Sequence, residues 1–172
     1  MRNLEPGPVF CVVTPFKEDG SIDFDALEKY LNNCADAGAN KFYVMAYNSR
    51  FSELSWDEIK TLNHFVIKTV KEIDIENFVI VADPLHCSTD VTLEFTQHAE
   101  KCGADMISLI FREKFYNNEQ VLQHFKFITD DSSLPILIHE MPLISGMGGH
   151  TINWPLDLLD SLANFENIKA IK

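Results

Sequence analysis

Thr96-Gln97-His98-Ala99-Glu100-Lys101-Cys102-Gly103-Ala104-Asp105 runs directly into Met106-Ile107-Ser108-Leu109-Ile110-Phe111, and this stretch decides the fold. Upstream, Val91-Leu93-Phe95-His98-Ala99-Cys102 carries helical spacing. Gly103 then supplies the left-handed residue that closes a helix. Met106–Phe111 is a continuous apolar run of the kind that forms a strand buried on both faces. Ala37-Gly38-Ala39-Asn40, ahead of Lys41–Ala46, repeats the same helix, glycine and strand order.

Working outward, further strands are expected at Pro8–Thr14, Phe78–Ala82, Pro135–His139 and Ile168–Lys172. Helical spacing fills the gaps, in Phe24-Leu27-Tyr30-Leu31-Cys34, Ile59-Leu62-Phe65-Val66-Val70, Val121-Leu122-Phe125-Ile128 and Leu156-Leu158-Leu159-Leu162. Ser55-x-x-Glu58 is a capping box. Ser88 or Thr89, and Asn117, are placed to cap the third and fourth helices. Asn153 before Trp154 and Pro155 suits the first turn of the fifth. The unit repeats at roughly thirty residues, one βαβ step.

Such alternation means a parallel sheet, either doubly wound or closed into a barrel. The doubly wound sheet usually has a glycine-rich phosphate loop after its first strand. Here that strand leads into Thr14-Pro15-Phe16-Lys17-Glu18-Asp19-Gly20, without that fingerprint. The expectation is therefore an α/β fold, a (β/α)8 TIM barrel, as a single catalytic domain over residues 1–172. A whole barrel needs about 250 residues, so the sequence should cover about the first six strands and be incomplete at its C-terminus.

The net charge of −12 excludes nucleic acid and an anionic membrane as expected partners, since both reward clustered Lys and Arg. No apolar run approaches the ~20 residues of a membrane helix, and no signal peptide follows the opening Met-Arg-Asn-Leu. Cys11, Cys34, Cys87 and Cys102 form no framework and read as ordinary buried thiols in a reducing compartment. A soluble cytoplasmic protein is expected.

Active sites of such barrels lie at the C-terminal ends of the strands. Those ends carry Thr14, then Tyr47-Asn48-Ser49-Arg50, Asp83 and His86, Arg112 and Glu113, His139 and Glu140, and Lys172. Thr14 reads equally as a hydrogen bond to a neighbouring strand or as a site group. Arg112 and Glu113 read as an exposed loop pair or as rim groups. His86 and His139 have a structural alternative, bonded to backbone carbonyls. Lys172 closes Ile168-Lys169-Ala170-Ile171-Lys172, where alternation sends Lys169 and Ile171 one way and Lys172 the other. A lysine inside a ring of strands is partly desolvated, which favours the free amine that attacks a carbonyl; the alternative is a solvated terminal lysine.

Four stretches, in order, resemble the dihydrodipicolinate synthase and N-acetylneuraminate lyase family of Schiff-base aldolases. They are Val13-Thr14-Pro15-Phe16 with Asp19-Gly20-Ser21-Ile22-Asp23, Leu54-Ser55-Trp56-Asp57-Glu58, Thr96 to Asp105, and Asn167-Ile168-Lys169-Ala170-Ile171-Lys172. The resemblance implies that the Lys172 amine condenses with pyruvate or another 2-keto acid. The resulting imine acts as electron sink, with no metal and no cofactor beyond that covalent imine. It also implies a homotetramer.

Two helpers depart from the family pattern. The family's glycine- and threonine-rich carboxylate loop is replaced by Ala46-Tyr47-Asn48-Ser49-Arg50, in which Asn48 and Ser49 still offer donors and Arg50 a bidentate one. The family's proton-relay tyrosine after strand five is replaced by His139, and its aromatic pair after strand four by Phe111-Arg112-Glu113. The arginine some members carry after strand five is absent from Leu143-Ile144-Ser145-Gly146-Met147-Gly148-Gly149. The leading expectation is a Schiff-base aldolase or hydro-lyase with Lys172 and His139 catalytic. Thr14, Tyr47, Asn48, Ser49, Arg50, Asp83 and Glu113 then bind the small-molecule substrate. A paralogue that kept the fold without turnover, as a binding or regulatory protein, is the second reading. A metal aldolase built on Asp83, His86, Glu113, His139 or Glu140 is the third.

Overall fold

The computed structural model describes residues 6–46, 49, 53–84, 87–111, 117–140 and 154–172. Strands and helices alternate along these residues. The strands are β1 (Phe10–Cys11), β2 (Lys41–Val44), β3 (Phe78–Ala82), β4 (Met106–Leu109), β5 (Ile136–Ile138) and β6 (Ile168–Ile171). The helices are α1 (Phe24–Asp36), α2 (Trp56–Ile73), α3 (Thr89–Cys102), α4 (Asn118–Asp131) and α5 (Leu156–Ala163). The strands are mostly a residue or more shorter than the apolar runs. Hydrogen bonding nevertheless continues past their ends, as from Val12 N–H to Tyr43 C=O at 2.9 Å.

Local signals act as their chemistry requires. Ser55 accepts from Glu58 N–H while the Glu58 carboxylate accepts from Ser55 N–H at 2.8 Å, closing the capping box of α2. Ser88 and Asn117 cap α3 and α4. Gly103 ends α3 at φ 88°, where a β-carbon would be strained. The fifth helix differs from expectation. Pro155 sits before α5 as its cap residue with extended backbone (φ −58°, ψ 140°), not in the first turn, and no side chain caps that helix.

All five strand pairings are parallel, in the order β1-β2-β3-β4-β5-β6. Every strand lies beside its sequence neighbour, which is how a barrel winds; a doubly wound sheet reverses direction partway. The sheet is also rolled. In a flat sheet β2 and β6 would lie about 19 Å apart, four spacings of ~4.8 Å. Yet Lys172 Nζ lies 5.0 Å from the centre of the Tyr43 ring.

The four middle strands are buried throughout. β1 and β6, each beside one strand among the described residues, are half-buried, and Val9, Val13 and Ile171 are exposed. The cysteines are a second correction. All four are free and half-buried, because they lie on an outer strand, at helix ends or in a loop and not in the central layer. No helix among the described residues is long and apolar enough to cross a membrane.

Candidate active site

Register brings two candidates together. Lys172 N–H donates to Ile138 C=O at 2.8 Å, and Glu140 N–H donates to Lys172 C=O at 3.0 Å. In a parallel ladder a residue bonds to the two residues flanking its partner, so Lys172 is the register partner of His139. Partners in a parallel pair point to the same face. Lys172 reaches the Tyr43 ring across the sheet, so that face is the concave interior, and His139 shares it. His139 is buried.

Beneath the amine lies a feature the sequence reading missed. Tyr43 of β2 donates its hydroxyl proton to Ser108 Oγ of β4 at 2.7 Å, and both residues are buried. Ser108 is a polar residue in an otherwise apolar strand, and that was the available signal. What it bonds to depends on a strand two places away.

The remaining candidates separate. Thr14 Oγ1 is buried without a hydrogen-bond partner, so the alternative of a bond to a neighbouring strand is not realised. Asp83 was expected to bind substrate, but its geometry is structural. Asp83 N–H bonds Ser108 C=O at 3.0 Å, which makes Leu109 its register partner on the helix-facing side. Its Oδ2 accordingly accepts from Thr92 Oγ1 of α3 at 3.3 Å.

Ser49 is likewise corrected as a donor. Its N–H and its hydroxyl both bond Ala46 C=O, at 2.8 Å and 2.7 Å, and a hydroxyl has one proton to give. Just before this turn Met45 takes a left-handed φ of 59°, a strained conformation for a residue with a side chain. Tyr47, Asn48, Arg50 and Glu113 lie outside the described residues, as do His86 and Arg112.

Of the metal candidates, Glu140 accepts from Trp154 N–H and thereby ties the β5 exit to the segment before α5. No three His, Cys, Asp or Glu side chains come together to hold an ion among the described residues.

With six parallel strands wound in order and a lysine–histidine pair at two adjacent strand exits, known proteins provide a direct comparison. An "uncharacterized DapA-like lyase" of Pyrococcus abyssi is 30% identical over 170 residues, covering 96% of this chain and 53% of that protein. A 4-hydroxy-tetrahydrodipicolinate synthase of Bradyrhizobium diazoefficiens is 31% identical over 169 residues, again 96% and 53%. The chain thus spans about half the length of the curated relatives it matches. Among solved structures, the chloride-inhibited dihydrodipicolinate synthase of Acinetobacter baumannii complexed with pyruvate superposes with a TM-score of 0.83 at 26% identity. That match covers 96% of this chain and 54% of that one. Residues 7–172 match the dihydrodipicolinate synthetase family, and the chain belongs to it.

Proposed function

We propose that the protein is a class I, Schiff-base lyase, an aldolase or hydro-lyase, acting on pyruvate or another 2-keto acid through Lys172. The observation that carries this reading is the register pairing of Lys172 with His139, from which both side chains start on the interior face at adjacent strand exits. Family membership and the relatives' names supply the reaction class. Lys172 Nζ attacks the keto carbon, His139 carries the proton from that nitrogen to the oxygen to complete the carbinolamine, a second proton lets the oxygen leave as water, and a protonated imine remains. A proton or a carbon–carbon bond is then lost from the neighbouring carbon as the electron pair moves into the imine, giving an enamine. An imidazole gives and takes protons near neutral pH more readily than a phenol of pKa ~10. Thr14 Oγ1, buried and without a partner, is a candidate donor to the substrate carboxylate. The reading includes a cytoplasmic homotetramer that needs neither metal nor organic cofactor.

The test is reductive trapping. Pyruvate with borohydride should add a reduced pyruvyl group to the peptide containing Lys172, and chelator should not change the yield. An adduct mapped elsewhere, or one that survives Lys172→Ala, refutes the assignment; loss of trapping with chelator refutes the metal-free mechanism.

A further inference from the structure

We propose that Tyr43 is a positioning residue for this site: its ring, anchored by Ser108, is a platform that holds the Lys172 amine inside the barrel for attack. The inference rests on the Schiff-base reading above and adds to it a residue at a strand middle, away from the rim. Two observations on different strands carry it. Lys172 Nζ lies 5.0 Å from the Tyr43 ring centre, within the distance at which the negative face of an aromatic ring attracts the resting ammonium, which is placed there before it gives up a proton and attacks as the amine. Tyr43 is itself fixed, because its hydroxyl donates to Ser108 Oγ at 2.7 Å across the interior. The ring therefore gives the Lys172 amine a fixed point of contact on the interior face.

A lysine side chain has four rotatable bonds and samples many rotamers unless one is held. Attack needs one of them, with nitrogen over the interior and beside His139. A ring face at the far wall favours the rotamer that carries the nitrogen over the interior. Ser108 explains itself in the same way. A hydroxyl in a strand of Met106, Ile107 and Leu109 is costly to bury unless bonded, and the bond it makes fixes the plane of the ring.

The experiment measures the rate constant for imine formation from pyruvate, at saturating pyruvate, alongside the melting temperature. Tyr43→Leu removes the ring and should slow imine formation about fivefold, with the half-saturating pyruvate concentration little changed. Tyr43→Phe keeps the ring and should recover most of that rate, although it loses the bond to Ser108 and melts lower. Ser108→Ala should melt lower by a similar amount and slow imine formation less than Tyr43→Leu does. If Tyr43→Leu does not fold, Tyr43→Met stands in for it with the same expectation, and Tyr43→Trp should rescue the rate. Parent-like rates without a ring, or equal losses in Tyr43→Phe and Tyr43→Leu, overturn the platform while leaving Lys172 as nucleophile. Failure of the parent protein to trap at Lys172 overturns both readings.

Discussion

Asp105→Ala is expected to destabilise the fold by about 3–5 kcal/mol, because one carboxylate closes the starts of two strands. Asp105 N–H donates to Val79 C=O at 2.9 Å, and its Oδ2 accepts in return from Val79 N–H at 2.8 Å. Ahead of β4 the Asp105 side chain, not a backbone carbonyl, supplies the acceptor for Val79 N–H. The same Oδ2 accepts from Lys71 Nζ of α2 at 2.6 Å, and that ammonium also bonds Asn77 C=O at 2.6 Å. The two side chains of the pair are only 15% and 12% exposed. Truncation leaves the fully buried Val79 with an unmade N–H bond, about 1–3 kcal/mol. It also removes a hydrogen bond between charged groups, about 1.5–3 kcal/mol. At 2–4 °C per kcal/mol for a chain of this size, thermal unfolding followed by circular dichroism should show a fall of about 6–20 °C. Asp105→Asn keeps an acceptor for Val79 and should lose about half as much. Lys126→Ala, which breaks an exposed helical pair with Asp130, should stay within about 2 °C. A fall for Asp105→Ala no larger than that control would refute the reasoning.

Three further outcomes are expected. His139→Gln should lower turnover by ~10² to 10⁴ while trapping at Lys172 persists; full activity, or a loss matched by unfolding, removes His139 from the mechanism. His98 is held below its ordinary pKa chiefly by burial, with Lys60, His64 and Lys101 adding repulsion and Glu94 opposing them. Below pH ~6.5 the unfolded chain therefore takes up a proton that the folded chain resists, and stability falls with pH until the folded pKa is passed. His98→Gln should accordingly lose less melting temperature than the parent between pH 7.5 and 5.5, and an equal loss would contradict this. Asn63 on α2 is fully buried with neither amide atom bonded, so Asn63→Leu should raise stability by about 1–3 kcal/mol in a denaturant titration; a decrease would show that the amide is satisfied.

The sequence by itself determined the order of elements and where several begin and end. Continuous apolar runs, period-3.6 hydrophobicity, Ser55 with Glu58, and Gly103 are local signals, acting within a few residues of where they are written. It also singled out Lys172 and His139, because strand exits are legible once strands are. Tertiary structure decided the rest. That Asp83 turns outward to Thr92, and that Ser49 spends its proton on Ala46, depends on register and turn geometry that residue type does not encode. The pairing of His139 with Lys172 follows a register shift between Ile136 and Leu137, which no pattern in either strand announces. Tyr43, Ser108 and Lys172 stand 65 and 64 residues apart along the chain and meet because the sheet rolls. Strand twist and the helices packed outside impose that curvature collectively, so contacts across the interior belong to the assembled sheet and to no segment of it.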